Sequence, residues 1–113
     1  MTSKGPQEPF KRITVDEAKR MIDTGKYDVV DVRQPHEWEK GHIKGAKLIP
    51  VDALYERIGE VSKEKEVIFY CAAGVRSALA CEIAAAMGLT KLYNVEGGMG
   101  AWKAKAYPFL TGK

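Results

Sequence analysis

The sequence predicts an α/β domain in which parallel strands are linked by helical crossovers. Three observations lead there. Short apolar runs alternate with helix-period segments from Ile13 onward, and Val67-Ile68-Phe69-Tyr70 is a continuous, β-prone run of the kind buried in the middle of a parallel sheet. The helical segments also carry their own start and stop residues. At 113 residues, 45% hydrophobic and 29% charged, the chain is near the commonest single-domain size and can bury one core without disulfide or metal staples.

Each element has a local reason. Thr14 followed by Glu17 forms a capping box, after which Val15, Ala18, Met21 and Ile22 share one helical face until Gly25 stops the helix. Residues 27–32 read as a strand that ends at the charges and proline of Arg33-Gln34-Pro35. Pro35 opens a short helix through Lys40, since its missing amide hydrogen costs nothing in a first turn, and Gly41 closes it. Residues 46–49 form a short strand stopped by Pro50, and residues 52–58 a predicted helix with Leu54 and Ile58 inward.

After the strand at 67–70, residues 71–76 form a loop, and a helix follows from Ser77 to the closing Gly88. That helix has one charge in the eleven residues 77–87 and is expected to be covered on most sides. Residues 91–95 are the last strand and residues 98–105 the last helix, ended by Tyr107-Pro108. Residues 1–10, with two prolines and a glycine, are expected as a flexible N-terminal tail preceding a domain over residues 11–110.

Composition excludes several functions. Two cysteines are too few for a disulfide-dense secreted scaffold, and no Cys-x-x-Cys or paired Cys/His spacing marks structural zinc, so neither metal nor cofactor is expected. The net charge of +3 is scattered among acids, without the basic runs and interleaved aromatics that nucleic-acid binding favours. No stretch approaches the roughly 18 apolar residues of a membrane span. The first ten residues lack the apolar core of a signal peptide. The expectation is a reduced, cytoplasmic monomer that binds neither membrane nor nucleic acid.

The informative position is Cys71, at the junction of the strand at 67–70 and the next helix. Ligands of open α/β sheets bind in the crevice beyond the carboxyl ends of the strands, so Cys71 is a candidate nucleophile. Sulfur chemistry needs the thiolate, which an unperturbed thiol of pKa about 8.5 supplies only sparingly near neutrality. A loop curling from Cys71 to the helix start aims backbone amides and the positive end of the helix dipole at an anion. Ala72, Ala73 and Gly74 are small enough for close approach, and Gly74 can take a positive φ. Arg76 adds a fixed charge that can pair with the thiolate or with an anionic substrate. Taken alone, Cys71 could instead be an inert core thiol; the combination with three small residues and Arg76-Ser77 favours chemistry.

Other candidates weigh less. Cys81, inside the apolar helix, reads as a core thiol, with a resolving cysteine as the alternative. His36 and His42 have no third ligand partner in view, and an ionised thiolate needs no base, so surface or hydrogen-bonding roles are favoured. Trp102 reads as core.

Cys71-Ala72-Ala73-Gly74-Val75-Arg76-Ser77, together with Asp31-Val32-Arg33, Glu37, Gly41-His42-Ile43-x-Gly45-Ala46, Ile49-Pro50 and Gly97-Gly98-x-x-Ala101-Trp102, resembles a single-domain rhodanese, a sulfurtransferase. The resemblance runs from about Ile13 to Pro108. It implies a rhodanese-like α/β fold with a five-stranded, mainly parallel sheet and helices on both faces. Cys71 would be the catalytic, sulfur-carrying residue, and Ala72, Ala73, Gly74, Val75, Arg76 and Ser77 would bind substrate. Asp31 and Arg33 would organise the site through mutual hydrogen bonds, and Glu37 would cap or pair. The implied partners are a thiosulfate-like sulfur donor and a cyanide or thiol acceptor, a protein acceptor included.

Two rival readings follow from the same residues. Cell-cycle dual-specificity phosphatases share this architecture and also place Arg after Cys, as does arsenate reduction chemistry, but with a loop one residue longer than the six residues from Cys71 to Arg76. Non-catalytic rhodanese-like interaction modules often lack the cysteine, which this chain keeps. The loop also holds no basic residue between Cys71 and Arg76, which leaves a dianionic donor to amides, the helix dipole and Arg76.

Overall fold

The computed structural model describes residues 7–113. Five strands form one sheet in the order β1-β5-β4-β2-β3: β1 (Lys11–Ile13), β2 (Tyr27–Asp31), β3 (Lys47–Leu48), β4 (Glu66–Tyr70) and β5 (Leu92–Val95). Every pairing is parallel, with β4 flanked by β2 and β5. Parallel neighbours need crossovers, supplied by α1 (Val15–Asp23), α2 (Pro35–Lys40), α3 (Val75–Ala86) and two short 3₁₀ turns, with α4 (Gly98–Ala104) after the last strand.

Side chains on successive strand positions enter two cores on opposite faces of the sheet. Val67 and Phe69 of β4 pack with Val30, Leu92 and the α3 residues Ala80, Cys81 and Ala84. Ile68 and Tyr70 join Val29, Val95, the α1 residues Val15 and Ala18, and Met99 and Trp102 of α4. Both faces of β4 are thus dry, as the uninterrupted run 67–70 predicted, and helices cover both faces of the sheet.

Local signals fall where expected at several ends. Thr14 Oγ1 accepts from the Glu17 amide at 3.1 Å while Glu17 Oε1 accepts from the Thr14 amide at 2.8 Å, completing the capping box of α1. Pro35 stands in the first turn of α2, and Gly41 follows its end.

Four expectations need correction. Residues 52–58 do not form an α-helix; 3₁₀ turns at Val51–Ala53 and Ile58–Glu60 replace it, because Arg57 leaves the helical path at φ −105°, ψ 18°. Leu54 still points into the core. The helix α3 starts at Val75, two residues before Ser77, because Gly74 turns the chain in the left-handed region at φ 99° and serves as its N-cap. That helix is covered on one side only: Val75, Leu79, Glu82 and Ala86 line an exposed stripe, with Val75 77% exposed.

The fourth correction concerns the tail. Residues 1–6 of the expected tail lie outside the described residues, but Phe10 is buried in the core on the α3 face, and Lys11–Ile13 adds β1 at the sheet edge beside β5. The apolar pattern began the fold at Ile13 because a three-residue edge strand carries too little periodicity to read.

Truncation of this anchor measures its weight. Phe10→Ala should lower unfolding free energy by about 3 kcal/mol in urea denaturation. A loss below about 1 kcal/mol would mean that Phe10 adds nothing to the packing.

Candidate active site at the end of the central strand

Cys71 is the first residue beyond β4, so its side chain stands at the carboxyl end of the sheet's middle strand. It is almost fully buried, and its surroundings are polar on one side. Sγ accepts from the Gly74 amide at 3.1 Å and the Ser77 amide at 3.3 Å, and lies 3.3 Å from Ser77 Oγ. Burial raises the thiol's pKa. Hydrogen bonding at Ser77 and from the amides of Ala73 and Gly74 lowers it, and the balance falls below the ordinary thiol value.

The loop holds this shape because α4 grips it from behind. The amides of Met99 and Gly100 donate to the carbonyls of Cys71 and Ala72 at 2.8 and 3.0 Å. In a trans peptide the C=O and N–H point to opposite sides, so anchoring these two carbonyls turns the Ala72 and Ala73 amides away from α4. Such close approach admits no side chain at Gly98: a Cβ there would stand 2.3 Å from the Cys71 carbonyl oxygen, at a φ of +52°.

Both arginines expected at the site are held by carboxylates. Arg33 is buried, with Nε 2.9 Å from Asp31 Oδ1 and Nη2 2.6 Å from Asp31 Oδ2, and Nη2 also donates to the Gly41 carbonyl at 2.7 Å. This is the mutual pairing expected of Asp31 and Arg33. Arg76, in the first turn of α3, forms a two-pronged pair with Glu37 of α2 at 2.8 and 2.9 Å. Glu37 also accepts from the Gln34 amide at 3.0 Å. The Arg76 guanidinium, ahead of the opposing effect of burial, draws the Glu37 carboxyl down to about 2.

The remaining predicted residues divide clearly. Ala72 and Ala73 form the wall of the loop, with Ala73 exposed, while the Val75 side chain faces solvent and contributes backbone only. Cys81 is unbonded and buried among apolar side chains, and burial pushes its thiol far above the ordinary range. His42 stacks on Trp38 with ring centroids 3.7 Å apart and bonds its carbonyl through Nδ1, whereas His36 is exposed. Trp102 is buried, and its indole N–H donates to the Pro108 carbonyl at 2.9 Å. Among the described residues no group of three acidic, His or Cys side chains is placed to hold a metal ion.

Sequence reasoning missed two contributors. Asn94 of β5 is fully buried and accepts from Ser77 Oγ at 2.5 Å; its signal was a polar residue inside the apolar run Leu92-Tyr93-Asn94-Val95. The Met99 and Gly100 amides left no side-chain signal, although Gly97-Gly98 marked the close approach.

A family model for the rhodanese-like domain matches residues 14–105. The chain belongs to the rhodanese family. A sulfurtransferase of Allochromatium vinosum is 32% identical over 94 residues, covering 83% of this chain and 88% of that protein. The Bacillus subtilis protein YqhL is 41% identical over 80 residues, which span 71% of this chain and 64% of YqhL, just under two thirds of its length. Among solved structures, a rhodanese-related protein from Thermoplasma volcanium superposes with a TM-score of 0.81 at 33% identity, covering 88% of this chain and 97% of that one. The all-parallel five-stranded rhodanese-like architecture is therefore shared along most of the chain.

Two substitutions test the rhodanese loop's supports. Gly98→Ala should cost about 2 kcal/mol or more in chemical denaturation, combining the strain of a left-handed alanine with the collision at Cys71; a neutral result would show that α4 is free to back away. For Glu37, the lowered folded-state pKa means its stabilising contribution is present above the ordinary carboxylate range and lost as pH falls toward about 2. Glu37→Gln should thus destabilise by about 1 kcal/mol at neutral pH, allowing for solvent screening. The deficit should close between about pH 4.5 and 2. A deficit independent of pH would assign Glu37 a packing role instead.

Proposed function

We propose that this chain is a sulfurtransferase that carries sulfur on Cys71. The observation behind the reading is the convergence of backbone amides on Sγ, from Gly74 and Ser77 at 3.1 and 3.3 Å, at the head of a twelve-residue helix. Such a ring of donors favours a sulfur anion without a basic side chain in the loop. The family membership and the sulfurtransferase named among the relatives support it.

In the first half-reaction the Cys71 thiolate attacks the outer, sulfane sulfur of a donor such as thiosulfate. A new Sγ–S bond forms, the donor's S–S bond breaks, and sulfite departs with the bonding electron pair. The negative charge now lies on the outer sulfur of the Cys71 persulfide, for which the amides of residues 72–77 would be the available donors. In the second half-reaction cyanide or a thiol, free or on a protein, attacks that outer sulfur, and the Cys71 thiolate leaves. No proton must be removed when ionised Cys71, cyanide or an acceptor already in its thiolate form attacks, which agrees with a loop without a histidine.

Asp31 and Arg33 act as organisers: their buried pair fixes the end of β2 and, through the Gly41 carbonyl, the turn after α2. Arg76, tethered by Glu37, contributes a partly neutralised charge to the rim. A site of amides and paired arginines suits a donor of low charge at least as well as a dianion. An unpaired thiolate also needs a reducing compartment, which fits a cytoplasmic location.

Intact-mass measurement decides the matter. Incubation with thiosulfate should add one sulfur atom to the native protein, cyanide should remove it, and Cys71→Ser should gain none, while Cys81→Ser behaves as native. If no sulfane donor loads Cys71 and an aryl phosphate is hydrolysed in a Cys71-dependent manner, the chain is a phosphatase. Inactivity in both assays with an intact fold would make it an interaction module.

A further inference from the structure

Behind Cys71 lies a chain of hydrogen bonds that the transfer reaction does not itself require. Asn94 Nδ2 donates to the Gly74 carbonyl at 3.2 Å and to Glu96 Oε2 at 2.5 Å. A carbonyl and a carboxylate can only accept, so these two partners fix which end of the amide is nitrogen. Asn94 Oδ1 therefore faces Ser77 Oγ, 2.5 Å away, and it too can only accept. The single Ser77 hydroxyl proton is claimed by Asn94, and Ser77 Oγ turns a lone pair toward Cys71 Sγ, 3.3 Å distant.

We propose that Asn94 is a positioning residue that holds the Ser77 proton away from Cys71, so that backbone amides alone stabilise charge on the inner sulfur and its uncharged states gain relative to a site with a free Ser77 hydroxyl. Two such states exist. In the thiol, Cys71 donates its S–H to Ser77 Oγ. In the persulfide of the proposed reaction, on which this second half of the inference rests, the charge lies on the outer sulfur and Sγ asks nothing of Ser77. The bare thiolate keeps its backbone amides but gains nothing from this network: either it faces a lone pair, or Ser77 swings its proton over and leaves the fully buried Asn94 Oδ1 unpaired. Withholding the hydroxyl limits stray oxidation of the free thiolate between turnovers, while the amides still supply the thiolate that loading requires.

Each charged group around this network is held by an opposite charge. Arg76 is paired with Glu37, Arg33 with Asp31, and Glu96 with Arg12 at 3.0 Å, an arginine that the exposed Glu8 also holds. The other donors to Sγ are backbone amides, which cannot rotate away. The one adjustable bond at the inner sulfur is the Ser77 hydroxyl, and Asn94 decides its direction.

Thiolate absorbance in the ultraviolet, followed against pH in the full chain, tests this without any sulfur donor, so its failure is separable from failure of the sulfur-transfer reading. Asn94→Ala frees the Ser77 proton for Cys71 and should move the thiol–thiolate equilibrium about fivefold or more toward thiolate. In a Ser77→Ala background the same substitution should move it less than about twofold. No movement, movement toward thiol, or an equal movement in both backgrounds would overturn the proposal. If Asn94→Ala does not fold, Ser77→Ala alone still decides. It should change the equilibrium less than about twofold, because it removes a contested donor and an acceptor together, whereas a loss of thiolate of about tenfold would show that the hydroxyl donates freely to Cys71.

Discussion

Two hydrogen bonds behind the loop carry the site. By holding the carbonyls of Cys71 and Ala72, the amides of Met99 and Gly100 orient the peptide planes that follow the central strand, and planarity does the rest. The amides on the other side of those planes, of Ala72 and Ala73, turn away from α4, just ahead of the Gly74 and Ser77 amides that donate to Sγ. This arrangement needs α4 almost in contact with the loop backbone, which explains a glycine at position 98 more directly than any demand for flexibility. The cradle is a consequence of sheet order: β4 and β5 are neighbours, so the segments leaving their carboxyl ends, the Cys71 loop and the start of α4, must meet.

Charge is handled with equal economy. Burying a sulfur anion costs solvation, and the chain meets that cost with dipoles fixed by backbone geometry. Its two nearby guanidinium groups serve chiefly to lock segments together: Arg33 ties β2 to the turn after α2, and Arg76 ties the first turn of α3 to α2. Each tether consumes a charge that would otherwise steer anions into the site. The loop's rim is consequently nearly neutral, which on the proposed reading suits a sulfur atom better than a tetrahedral oxyanion seeking a free arginine.

Much of this was legible in the residue order, and the exceptions have physical causes. The capping box at Thr14 and Glu17, the proline and glycine bounding α2, and the apolar run of β4 are local signals, and each placed its element within a residue or two. The segment at 52–58 looked helical by spacing alone, yet seven residues nucleate a helix poorly and the backbone at Arg57 breaks it. The edge strand at Lys11–Ile13 is defined by its partner β5 and has almost no pattern of its own. At the candidate site, Cys71, Gly74 and Arg76 were singled out by type and spacing, and Asp31 and Arg33 by the family resemblance. That Glu37 claims Arg76, and that Asn94 claims the Ser77 proton, depends on pairings 39 and 17 residues apart in sequence that no local rule reports.

The central claim is that backbone amides of the loop hold the Cys71 sulfur anion. Amide proton resonances followed by NMR as Cys71 ionises, and again as it takes up sulfur, test it most directly. The account predicts that the amides of Ala73, Gly74 and Ser77 move to lower field in both steps, further than any amide outside residues 71–77, and that Cys71→Ser abolishes the movement. Resonances of the loop that stay in place while Cys71 ionises would contradict it.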